Sequence, residues 1–343
     1  MRLTEFSSCG GCAAKLPVGT LTALLRQMQF VNHPDLLIGI EHFDDAAVYK
    51  INEKISLVQT VDFFPAIVDD PRAFGRIAAA NALSDVYAMG GQPLTAMCIA
   101  TFPEGLLSTK DFLDILKGGE EKIREAGATL VGGHTLKERS VIYGLSVTGI
   151  VNNSEIITNS GAREGDCLVL TKPVGTGVYI NALKSGAIKE NEFEEALDLM
   201  TSLNNYPVEP MKKHEATACT DVTGFSLLGH AFEIAKASGV TIRIDSGKVP
   251  FIRNAKRLSN EGHTPSSTIR NSSHFLPEIM RENNIDEAIM SLLFDPQTNG
   301  GLLISCPKDE SRGLVKTINR NSSIKSAAIG EVIKKKGKCL AVS

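Results

Sequence analysis

The chain has 343 residues, about two domains' worth, and its 43% hydrophobic and 22% charged residues give an ordinary globular composition with enough apolar material for a sizeable core. A net charge of −3 supplies no basic field for nucleic acid or an anionic membrane, and 6% aromatic residues with no Trp leave little to stack on bases. Seven cysteines, an odd number and mostly far apart, exclude a disulfide framework and fit reduced thiols in a cytoplasmic protein; no run approaches the ~18 apolar residues of a membrane span, and the N-terminus lacks the apolar core of a secretory signal.

The first motif is Ser8-Cys9-Gly10-Gly11-Cys12-Ala13-Ala14-Lys15. Its paired glycines predict a mobile loop, and Lys15 near Cys12 favours thiolate, the reactive form of the sulfur. The Cys-x-x-Cys spacing equally suits half a zinc site, a redox dithiol or two ordinary thiols near a chain end.

Leu21, Leu24, Leu25 and Met28 fall at helical spacing and predict a short helix over 20–30. The stretch over 43–49 is expected to turn into a strand, and a second strand is expected over 55–61, ending at Asp62-Phe63-Phe64. Pro71 suits the first turn of a helix running through Met89, which Gly90-Gly91 stops. A strand over 94–100 follows. Ser108 with Asp111 then makes a capping pattern for a helix to Ala126, closed by Gly127. A strand over 129–131 leads into Gly132-Gly133-His134, and a strand over 141–151 ends the first half.

Residues 152–165 turn polar and mark a boundary. The expected organisation is a loop over 1–18, an N-terminal domain over 19–155 and a C-terminal domain over 156–343. The second half starts a new α/β pattern with a strand over 167–171 and a tight turn at Gly175-Thr176-Gly177. Helices are expected over 192–203, 208–215 and from Phe225 to Ser238, then a strand over 240–244, a polar loop over 265–273, a strand over 302–305, and a last helix with two strands. The fold class is α/β with mixed sheets.

No Gly-x-x-x-x-Gly-Lys-Ser/Thr loop is present, and the Gly175-x-Gly177 pair has Ile180 where a dinucleotide fingerprint needs a third glycine. The recurring feature is an Asp at the end of an element: Asp44-Asp45, Asp62, Asp85 and Asp221. Carboxylates are hard ligands for Mg²⁺, and acids approach a polyphosphate only with metal between them. Asn81 and Asp85 are four apart and share one helix face. Each acid taken alone reads equally as a cap, a turn or a solvated residue, and His134 as a loop residue.

Together the segments Gly11-Cys12-Ala13-Ala14-Lys15, Asp44-Asp45-Ala46-Ala47-Val48, Thr60-Val61-Asp62-Phe63-Phe64, Asn81-Ala82-Leu83-Ser84-Asp85, Gly132-Gly133-His134, Leu170-Thr171-Lys172-Pro173, Thr220-Asp221-Val222-Thr223-Gly224-Phe225 and Asp295-Pro296-Gln297-Thr298-Asn299-Gly300-Gly301 resemble the selenophosphate synthetase (selenide, water dikinase) family, within the aminoimidazole ribonucleotide synthetase-like superfamily. The resemblance implies two α/β domains of that superfamily's type and conversion of ATP, selenide and water to selenophosphate, AMP and orthophosphate. It implies Mg²⁺, one ion or more, on Asp45, Asp85 and Asp221. It implies nucleotide contacts from Asp62, from Gly133-His134-Thr135 and from His42-Phe43-Asp44, with Asn81 supporting them. Lys15 would meet phosphate as a point charge, and Cys12 stands at the family's Cys or selenocysteine position, where it would bind or deliver selenium or shield an intermediate.

The resemblance further implies a homodimer through the N-terminal sheets and leaves room for a selenium-delivery protein as partner. Many members carry a second Cys directly before the lysine. Ala14 stands there in this chain, so Cys9 is the nearest thiol to pair with Cys12 on oxidation. Two alternatives stay open: another enzyme of the superfamily that releases ADP, and a Cys-x-x-Cys metal or redox module without ATP turnover.

Overall fold

The computed structural model describes residues 2–6, 24–25, 27–28, 30, 33–40 and 43–343. Cys9, Cys12, Lys15, His42 and most of the helix expected over 20–30 lie outside the described residues.

Strands β1 (Leu36–Ile38), β2 (Ala47–Lys50), β3 (Ile55–Pro65), β4 (Gln92–Phe102), β5 (Thr129–Lys137) and β6 (Ile142–Asn152) form one mixed sheet in the order β1-β2-β3-β6-β4-β5. Its pairs are antiparallel except β4 with β5. Along β3 burial alternates with period two: Ser56, Val58, Asp62 and Phe64 are covered, while Ile55, Gln59, Val61 and Phe63 are exposed. The sheet therefore has one face packed by the Pro71–Ala88 and Thr109–Glu125 helices and one open face.

The Pro71–Ala88 helix starts as its sequence directs. The Asp70 side chain accepts from the Ala73 N–H at 2.6 Å, Pro71 fills the first position, and Gly90, at φ +75°, follows its end. Ser108 likewise accepts from the Asp111 N–H at 3.1 Å. The two helices touch through glycines: a Cβ on Gly75 would stand 2.0 Å from the Ile115 carbonyl oxygen, so a side chain there would force them apart.

Seven further strands, β7 (Cys167–Leu170), β8 (Ala218–Asp221), β9 (Thr241–Ile244), β10 (Ile279–Arg281), β11 (Leu302–Cys306), β12 (Ala327–Ile333) and β13 (Leu340–Val342), form a second mixed sheet in the order β10-β13-β9-β12-β7-β11-β8. Strand β8 lies at its edge yet is buried along its length, and the Pro71–Ala88 helix packs against it. That helix is covered nearly all round, which its Ala-rich sequence allows. Among the described residues no helix is long and apolar enough to cross a membrane.

Three expectations are corrected. The segment expected as a polar loop over 265–273 is the Ser266–Phe275 helix. Its Ser and Thr residues hide the apolar period, and it is held by Phe275 in the core and by the Asn271 side chain donating to the Gly224 and Phe294 carbonyls at 3.0 and 3.3 Å. Gly132-Gly133-His134 is not a turn after a short strand but the middle of β5. Asp62 lies inside β3 rather than past its end. The tight turn at Gly175 leads directly into the Thr176–Lys184 helix.

Candidate active site

The covered face of β3 presents Thr60 and Asp62 to the Pro71–Ala88 helix, which presents Asn81 and Asp85 one turn apart. The Asn81 Nδ2 donates to Asp62 Oδ2 at 2.8 Å, and the Thr60 hydroxyl donates to Asp85 Oδ2. The four-residue spacing thus does place Asn81 and Asp85 on one face. Asp85 is half-buried, not on a solvated surface.

The acids ahead of β2 are set by the interdomain segment. The Asn159 N–H donates to Asp44 Oδ1 at 2.8 Å, and its Nδ2 donates to the Phe43 carbonyl at 2.9 Å. The neighbouring Thr158 carbonyl accepts from the Cys219 N–H at 2.9 Å, tying the same segment to β8. The polar run read as a boundary is therefore partly a buried staple, with Asn159 fully covered. It turns Asp44 toward the linker and leaves Asp45 to face the second sheet. There Asp45 Oδ1 accepts from the Thr220 hydroxyl at 2.9 Å.

Asp221 ends β8 and is 2% exposed. Burial pushes the Asp45 carboxyl well above the usual carboxylate range; Asp221 and then Asp85 push it further, the Thr220 hydroxyl pulls it back, and Glu233 adds a smaller repulsion. Asp45 Oδ2 is buried with no hydrogen-bond partner among the described residues. Acids from the segment before β2, from the edge strand of the second sheet and from one helix thus share one field. Among the described residues no three His, Cys, Asp or Glu side chains are already gathered into a metal cage.

Gly133, His134 and Thr135 stand elsewhere. Asp62, Leu145, Cys98 and Gly133 form one row across β3, β6, β4 and β5. At ~4.8 Å per strand, Gly133 is about 14 Å from Asp62 in the same chain. His134 aligns with Phe63 through Gly144 and Ile99, on the open face.

Several residues at the site carried no role in the sequence reading. Thr60 and Thr220 bond the acids, and Asn159 sets the Asp44-Asp45 loop. The Asp295-Pro296-Gln297-Thr298-Asn299 stretch closes on the Thr176–Lys184 helix: Gln297 Oε1 accepts from the N–H groups of Gly175 and Thr176 at 2.9 and 3.0 Å, and Asp295 Oδ2 from the Gly177 N–H at 2.9 Å. Burial pushes the Asp295 carboxyl up to about 7. Buried Lys172 donates to the Leu199, Ser202 and Asn299 carbonyls at 3.1, 2.8 and 3.0 Å. In the sequence it stands in the Leu170-Thr171-Lys172-Pro173 segment that carries the family resemblance, with no role assigned to it.

Residues 43–151 match the N-terminal domain, and residues 163–342 the C-terminal domain, of AIR synthase related proteins. The two mixed sheets are those two domains. The selenide, water dikinase of Clostridioides difficile (strain 630) is 43% identical over 343 residues, covering 99% of this chain and 98% of that one. That of Geobacter metallireducens (strain ATCC 53774 / DSM 7210 / GS-15) is 44% identical over 334 residues, covering 97% of each. Thiamine-monophosphate kinase from Stenotrophomonas maltophilia K279a is similar in fold, with a TM-score of 0.68 at 18% identity over 96% of each chain. So is the thiamine monophosphate kinase from Aquifex aeolicus, at 0.66 and 20% identity, covering 100% of this chain and 98% of that one. On its sequence and fold, the chain belongs to the selenide, water dikinase family of AIR synthase related proteins.

Proposed function

We propose that this protein makes selenophosphate, converting ATP, selenide and water to selenophosphate, AMP and orthophosphate. The observation that carries the reading is the full-length identity to selenide, water dikinases, joined to one electrostatic field shared by Asp45, Asp85 and Asp221. Those three carboxylates fit Mg²⁺: they are hard oxygen donors that repel one another, and Asp45 keeps a buried oxygen without a partner. When bound, Mg²⁺ would neutralise phosphate charge. An ion of this kind is held by one or two carboxylates plus substrate phosphates, so no preformed cage is required. Asp62, oriented by Asn81, would contact the nucleotide. Cys12 and Lys15 are assigned to selenium and phosphate from their motif.

We further assign Gly133, His134 and Thr135 to a nucleotide held between two copies of the chain. The open face of the first sheet exposes Val61, Phe63, Met97 and Leu136, between 49 and 55% each, an apolar surface suited to a second copy. Pairing over that face would bring β5 of one subunit to the acids of the other. The test of the reaction is product analysis after incubation with ATP, Mg²⁺ and selenide. AMP, orthophosphate and a phosphorus–selenium species in equal amounts are expected, and a Cys12→Ser variant should lose the selenium product. ADP as the end product, or no selenide-dependent turnover, would overturn the reading.

A further inference from the structure

A buried file of hydrogen bonds runs from the second domain to Asp62. Lys172 Nζ donates to the Asn299 carbonyl at 3.0 Å, the Asn299 N–H donates to Asn81 Oδ1 at 2.8 Å, and Asn81 Nδ2 donates to Asp62 Oδ2 at 2.8 Å. Lys172, Asn299 and Asn81 are at most 1% exposed, and Asp62 is 7%.

The direction of the file matters. A carboxamide has one acceptor end and one donor end. Because Asn299 supplies a donor to its oxygen, the Asn81 amide must turn its NH₂ toward the Asp62 carboxylate. That donor favours the orientation with NH₂ toward Asp62; the opposite one would set oxygen against oxygen and push the carboxylate away.

Asn299 delivers its N–H from a left-handed backbone, φ +48°, which is costly for a residue with a side chain. Its side chain holds the conformation by donating to the Met200 and Ser202 carbonyls at 2.6 and 2.8 Å. The Lys172 ammonium shares the Ser202 carbonyl and also bonds that of Leu199, at the negative end of the Glu190–Thr201 helix. Burial draws the amine down to about 7, and the nearby Asp221 opposes that fall. An ammonium with three carbonyls on its three hydrogens is the state the geometry satisfies.

We propose that Lys172 and Asn299 are positioning residues for the nucleotide: they fix the Asn81 amide, and through it Asp62, from the opposite domain. This rests on the reading that Asp62 contacts ATP.

The test is ATP affinity with Mg²⁺ and no selenide, measured by titration calorimetry on full-length protein. Asn299→Gly and Asn299→Ala lose the same side-chain bonds, but only glycine adopts the left-handed backbone freely. Alanine should therefore bind ATP about fivefold more weakly than glycine. In an Asn81→Ala background that difference should vanish, because the file is already cut. Lys172→Met should also weaken binding, and if it fails to fold the Asn299 pair still decides. Equal affinities for the two Asn299 variants, or a difference that persists without the Asn81 amide, would overturn the inference. If Asp62→Asn binds ATP as tightly as wild type, the nucleotide reading falls and this inference with it. If Asp62→Asn binds weakly while the Asn299 variants match, only the inference falls.

Discussion

Asp45 and Thr220, 175 residues apart, are joined by a 2.9 Å hydrogen bond from the threonine hydroxyl to the carboxylate. This contact brings an acid of the first domain to the edge strand of the second, beside Asp221. The arrangement is poor for stability, since it buries like charges. Asp45→Asn keeps an oxygen for Thr220 and replaces the partnerless oxygen by an uncharged N–H donor in the field of Asp221 and Asp85. The free protein should then be stabilised by about 1 kcal/mol, read as a higher unfolding midpoint in denaturant. A lower midpoint would show that Asp45 is not repelled by its neighbours.

Asp295 sets a pH dependence. Its folded carboxyl titrates at about 7, above its unfolded value. Between those two values the folded state holds a proton that the unfolded state has released, so stability from this group is complete below the unfolded pKa and is lost as pH rises through about 7. Relative to Asp295→Asn, the wild type should lose stability from pH ~4 to ~7, by at most about 1.4 kcal/mol per pH unit. Denaturant unfolding across that range checks it, and parallel curves for the two proteins would refute it.

Gly133 is needed for contact as well as conformation. A Cβ there would stand 2.2 Å from the Cys98 carbonyl oxygen, at φ +158°. Gly127, at φ +74°, has nothing within 4 Å of the same atom. Gly133→Ala should cost about 1–3 kcal/mol more than Gly127→Ala, because only the first must move a paired strand. Thermal unfolding of both variants gives the comparison; equal losses would leave backbone strain as the whole effect.

The open sheet face should hold two copies together. Phe63 and Met97 lie on it, each 49% exposed. Phe63→Asp combined with Met97→Asp buries charge in any such interface and should shift sedimentation from dimer to monomer. ATP affinity should fall with it, since His134 sits on the same face as Phe63. A double variant that remains dimeric would place the interface elsewhere.

Local signals in the sequence were reliable. Pro71 after Asp70 and Ser108 before Asp111 mark helix starts because capping involves only neighbouring residues. The Asn81/Asp85 spacing gave a shared face for the same reason. Glycines misled at β5, where two strand residues with positive φ look like a turn in isolation but are paired along β4. The Ser266–Phe275 helix was hidden because buried polar bonds, rather than an apolar stripe, hold it. Asp44 was read with Asp45 as one acid pair, and nothing local to them reveals that Asn159 claims the first. Thr60, Thr220, Lys172 and Asn299 act through partners 25 to 218 residues away, which no spacing rule reaches.

Convergence of Asp45, Asp85 and Asp221 on a magnesium-bound nucleotide is tested most directly by titrating ATP into wild type and the three Asp→Asn variants, with and without Mg²⁺. In magnesium each variant should bind at least about tenfold more weakly than wild type, ~1.4 kcal/mol. Without the metal the four proteins should differ little. Wild-type affinity in all three variants, or losses of the same size with and without Mg²⁺, would contradict a shared metal site.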